Sequence, residues 1–180
     1  MFKYVVLNEI LRRRYPAYRV GAKTGSYFSA IGKGIVAGLI GTAVMTLAQE
    51  IEMRITKRKE SKAPAEAAKK VLDVEPTSEE KKSKVSNLVH WTYGSYWGIA
   101  RGILAESGLK GWTGNAIHFG AVWGTALWML PTLKIAPPPQ KWGGAELAKD
   151  AFYHVVYATA TGFAYDLIDH PLVKIYDSKA

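Results

Sequence analysis

The sequence predicts an all-α fold, an integral membrane bundle of four helices, and three observations predict it. Glycines stand one helical turn apart at Gly94, Gly98 and Gly102, which would give a helix a bare groove down one side. Similar spacing returns at Gly34, Gly38 and Gly41, at Gly120 and Gly124, and at Ala158 and Gly162. Charge is absent from four runs, 34–49, 85–100, 111–133 and 151–165, and crowds into the stretches between them. In water an interior glycine costs a helix about 1 kcal/mol relative to alanine. In a bilayer it lets a second backbone approach closely, and packing stands in for the hydrophobic drive that lipid removes.

Composition alone does not point to a membrane. At 180 residues and 48% hydrophobic content the chain is one domain of ordinary make-up, so distribution carries the argument. With no cysteine there are neither disulfides nor thiolate metal sites. Lys and Arg number 24 against 15 Asp and Glu, a formal charge of +9. These basic residues flank apolar runs and do not interleave with exposed aromatics. Anionic lipid headgroups therefore fit them better than nucleic acid.

Taken in order, residues 1–28 read as a basic amphipathic segment lying at the membrane surface. Phe2, Val6, Ile10 and Leu11 share a helical face, and Arg12, Arg13 and Arg14 follow where positive charge suits a helix end. Its charges come after the apolar patch, unlike those of a signal peptide. The transmembrane domain occupies 29–180, with helices at about 29–58, 78–107, 114–131 and 145–169. In the first, Glu50 and Arg54 form a favourable i,i+4 pair.

An amphipathic linker fills 61–77. Pro64 breaks the preceding helix, Ala68, Val71 and Leu72 gather on one side, and Pro76 closes the segment. Thr77-Ser-Glu-Glu80 is a capping box that starts the second helix, and Gly108 is suited to end it. Pro131 marks the end of the third. Pro137, Pro138 and Pro139 stiffen the next loop, and Trp91, Trp112 and Trp142 suit the headgroup level. Only the run 111–133 reaches the roughly 20 residues that span hydrocarbon unaided. The others call on snorkelling by Lys33, Lys84, Arg101 and Lys149.

The two halves also resemble each other. Gly41-Thr-Ala-Val-Met-Thr-Leu47 aligns with Gly124-Thr-Ala-Leu-Trp-Met-Leu130. His90, Tyr93, Gly94, Gly98 and Ala100 align with His154, Tyr157, Ala158, Gly162 and Ala164. This pattern predicts a tandem duplication of a two-helix hairpin, with helices two and four running the same way.

That direction sets His90 and His154 at similar depth, where two imidazoles could ligate a haem b iron; the alternative is that each bonds across a helix interface. His118 starts the oppositely directed third helix and stands apart from the pair. His170, beside Pro171, reads as a solvated helix end. Arg101 and Asp166 form a candidate interhelical ion pair, since pairing offsets two otherwise expensive charges at membrane depth. No nucleophile elbow, His-Glu-x-x-His helix or phosphate loop is present, so no catalytic residue is assigned.

The segment Lys33-Gly-Ile-Val-Ala-Gly-Leu-Ile-Gly-Thr-Ala-Val44 resembles the opening helix of YagU-like bacterial inner-membrane proteins. That resemblance implies a bacterial inner membrane and, because the family has no assigned activity, no site residues. The function expected is that of a non-catalytic accessory or assembly subunit of a membrane complex, or of a homo-oligomer. A haem- or quinone-associated redox module built on His90 and His154, or a small transporter, are the alternatives.

Overall fold

The computed structural model describes residues 16–73 and 75–169. Among them the fold is all-α: α1 (Pro16–Thr56), α2 (Ala63–Leu72), α3 (Glu79–Glu106), α4 (Gly111–Thr132) and α5 (Gly144–Asp169), with a 3-10 turn at Pro139–Lys141 before the last. The proposed surface face of Phe2, Val6, Ile10 and Leu11 lies outside the described residues, as does His170.

Local chemistry explains most of the boundaries. Ser78 caps α3 by accepting the Lys81 backbone N–H at 3.3 Å. The cap is thus one residue later than the capping box places it, and Glu80 falls out of register to reciprocate. At the other end of α3, Gly108 takes φ +92° and the amides of Gly108 and Leu109 donate to the carbonyls of Ala105 and Leu104. That crossed pair of bonds is a Schellman ending. Helix α4 ends the same way two residues after Pro131, with Lys134 in the left-handed position that glycine usually fills.

Two expectations need correction. A single helix runs from Pro16 through Thr56, so no break separates 16–28 from the apolar segment. Nothing between Pro16 and Ser29 stops a helix: the glycines there weaken it without capping it. In α2 the buried side is Ala65 and Ala68, while Val71 and Leu72 stand exposed. It is these two alanines that α2 buries where it packs on α3.

Helix α1 is central and packs along both α3 and α5. It is antiparallel to each, because Gly34 meets Gly98 while Gly38 meets Gly94, and Lys33 reaches Asp169 while Gly41 meets Thr161. Hence α3 and α5 run the same way. Helix α4 lies antiparallel to α5, with Trp112 against Phe163 at one end and Trp123 bonded to Asp150 at the other.

At the α1–α3 contact the glycines are indispensable. A Cβ on Gly34, Gly38 or Gly98 would run into the backbone of the facing helix, and one on Gly102 into the carbonyl of Ala30. Gly94 lies under the Thr42 side chain, whose hydroxyl donates to the Gly38 carbonyl at 2.7 Å. Gly162 accepts the Asn115 amide on its bare face, and Ala158 is buried.

Gly120 and Gly124 differ from this set. They lie on the outward side of α4, where an added Cβ meets nothing within 4 Å. The inward side of that helix is Gly114, Asn115, His118, Val122 and Ala126, a helical repeat on which positions 120 and 124 do not fall.

Among the described residues one helix, over Ser26–Thr56, is long and apolar enough to cross a membrane. It is α1, not the uncharged run 111–133 that the length of the runs favours. That run holds four glycines, three tryptophans, Asn115 and His118, so freedom from charge does not make it strongly apolar.

Candidate functional site

The interior is built of small residues, tyrosines and a few polar side chains, with no large aliphatic side chain fully buried among the described residues. The largest fully buried side chains are Arg101, Tyr165, His118, Thr42 and Thr161. The residues packed on the outside include Phe28, Leu47, Ile55, Phe152, Phe163 and Leu167, each more than half exposed.

Arg101, with none of its surface exposed, is the hub. Its Nη2 donates to Asp166 Oδ1 on α5 at 3.0 Å, and its Nε donates to Asn115 Oδ1 on α4 at 3.2 Å. Its guanidinium carbon stands 5.3 Å from the centroid of the Tyr165 ring, a cation–π arrangement. One side chain of α3 therefore ties α4 and α5 together. The sequence pairs Arg101 with Asp166 from the depth of the two helices, and the structure brings the two into contact. It also adds Asn115 and Tyr165.

A second tie lies beside the first. Fully buried His118 presents Nε2 to the Trp97 carbonyl at 3.0 Å. Since a carbonyl only accepts, Nε2 carries the proton and Nδ1 is left as a bare acceptor. Tyr157 donates its hydroxyl proton to the Gly94 carbonyl at 2.5 Å and sets its ring 5.7 Å from the His118 ring. Asn115 and His118 were open to discovery from sequence: one turn apart in an uncharged run, they share a face with Val122 and Ala126. Thr161 and Tyr157 carried no such signal.

His90 and His154 stand on α3 and α5, which run the same way. His90 is engaged across the α1–α3 interface and His154 within its own helix. His90 Nε2 pairs with Thr46 Oγ1 at 3.2 Å, and because that hydroxyl donates to the Thr42 carbonyl, the imidazole supplies the proton. His154 Nδ1 donates to the Asp150 carbonyl one turn back at 2.8 Å. Each ring thus keeps one free nitrogen. His118 does not join them, since its partner Trp97 stands two turns along α3 from His90. Among the described residues no group of three His, Cys, Asp or Glu side chains is placed to hold a metal ion.

At the end of the bundle beyond Arg101, Asp169 accepts from Lys33 at 3.0 Å and from Lys110 at 3.1 Å. The ends of α5, α4 and the early part of α1 are gathered there. Outside the apolar runs, Glu79 at the start of α3 bonds Lys62 and Lys82, and these hold its carboxyl down to about 2. Taken together, these groups can fix helices and hold charge inside the bundle; they do not assemble a nucleophile with a base.

No family model matches the chain, and no curated protein and no solved structure matches it significantly.

Proposed function

We propose that the chain is a four-helix integral membrane protein of a bacterial inner membrane, similar to the YagU-like proteins, that works as a non-catalytic accessory or assembly subunit or as a homo-oligomer. The observation that carries this reading is where the large side chains lie. The buried positions are held mainly by alanine and tyrosine with Arg101, His118 and Asn115 among them, while large apolar side chains cover the outside, the arrangement that suits lipid as solvent. The outward Gly120 and Gly124 on α4 add a surface on which another helix could close, which favours an assembly role. On this reading the paired hairpins α1–α3 and α4–α5 are two copies of one unit. The lysines around α2 meet anionic headgroups.

Two measurements test it. Washing membranes with alkaline carbonate should leave the protein in the pellet; release into the supernatant refutes the membrane reading. Extraction in mild detergent should yield an oligomer or a complex with another membrane protein, and a lone monomer refutes the assembly role.

The parallel course of α3 and α5, with one ring nitrogen of His90 and one of His154 each bonded to the protein and the other left over, favours a redox module carrying haem b as the second reading. A Soret band in the purified protein would support it. Its absence after gentle extraction would eliminate haem.

A further inference from the structure

Four polar atoms with no hydrogen-bond partner in the protein fall in one seam. Tyr93 Oη, Trp97 Nε1 and Arg101 Nη1 follow one another at four-residue spacing on α3, and His118 Nδ1 belongs to the helix that faces them. These atoms are shut off from the surface, yet α3 and α4 touch along only a short stretch. An orphaned buried donor or acceptor costs on the order of 1–3 kcal/mol, so four in one seam call for a common partner.

Their chemistry defines that partner. Trp97 Nε1 and Arg101 Nη1 can only donate, His118 Nδ1 can only accept while Nε2 donates to Trp97, and the Tyr93 hydroxyl does either. A molecule serving all four must both accept and donate, and it must be small, because each of the four atoms is itself shut off from the surface. We propose that the seam between α3 and α4 binds a file of water molecules running from Arg101 past His118 to Tyr93. Eight residues of helix separate its ends, about 12 Å. Asp166, partly exposed beside Arg101, marks the end through which water enters, and the Tyr157–Gly94 bond closes the other side.

The experiment uses the full chain, labelled with 15N-histidine and 15N-tryptophan, in lipid vesicles and again in detergent micelles. Only four histidines and six tryptophans contribute, so the ring signals are few. His118 is assigned by its loss in His118→Gln or, if that variant does not assemble, by elimination with His90→Gln, His154→Gln and His170→Gln. The expected result is transfer of magnetisation from water to the His118 ring and the Trp97 indole at a rate close to that of the exposed Trp112 indole. The unprotonated Nδ1 should show the 15N shift of a hydrogen-bonded acceptor, and Trp97→Phe should slow transfer to His118. Two results overturn the proposal: an Nδ1 with the shift of a bare lone pair, or a hydrogen-bonded shift without transfer from water, which would mean that Arg101 contacts the ring directly. Because the seam is internal, a failed carbonate test would leave this outcome unaffected.

Discussion

Removing the guanidinium of Arg101 strands the Asp166 carboxylate and takes the Nε–H from Asn115 Oδ1 in one step. Losing one partner of a buried pair costs 3–5 kcal/mol, and because a third of the Asp166 side chain is exposed, Arg101→Ala should lower stability by about 2–3 kcal/mol. Asp166→Asn should cost less, since an amide oxygen still accepts. The two changes together should be better tolerated than the sum of the singles, by about 1 kcal/mol or more in unfolding experiments in detergent. A double variant equal to that sum shows that the residues do not act as a pair. Arg101 and Asp166 were legible in the sequence because each is the first charge after an uncharged run, 85–100 and 151–165. Tyr165 was not, for an aromatic in an apolar run says nothing of what lies over its ring.

Among the helices, the same substitution separates packed glycines from open ones. Gly98→Ala pushes a methyl into the Gly34 carbonyl and the Gly38 backbone, and it should destabilise by at least the 1–3 kcal/mol typical of overpacking. Gly120→Ala and Gly124→Ala meet empty space and should leave the monomer's melting temperature unchanged or raise it, since alanine favours a helix by up to about 1 kcal/mol. If either weakens an oligomer while sparing the monomer, the open face of α4 is the contact. The spacing of the glycines was identical in the sequence. What differed was the inward repeat of α4, set by Asn115, His118, Val122 and Ala126, and neighbours in space decide which repeat faces in. Helix ends were easier to read, because Gly108 and Pro131 act through their own backbone. The Lys62–Glu79 pair adds an electrostatic tie to the alanine contact between α2 and α3: with Glu79 held down to about 2, that tie is fully present above the ordinary glutamate range near 4.5. It should be lost as pH falls from there toward 2, a change visible in the amide exchange of α2. Exposure and salt keep the effect small.

For the whole molecule, the bundle was legible as four charge-poor helices, but its centre was not. Duplication suggests two equal hairpins, whereas α1 packs on both α3 and α5 and so belongs to both halves. No alignment of residues shows which helix the others share. A chain with Leu39 and Leu47 changed to Lys should fold poorly in a bilayer, because two of α1's exposed apolar positions would put charge into hydrocarbon at about 2.5–3.5 kcal/mol each near the centre. Retention of that variant in carbonate-washed membranes at the original level would count against lipid contact there. The shared position of α1 also sets a timetable. This helix leaves the ribosome before its partners, and one of its flanks is completed only when α5, the last, arrives. Through most of synthesis Gly41 waits bare, so a nascent chain halted after α4 offers that flank to chaperones and proteases as an unfinished seat.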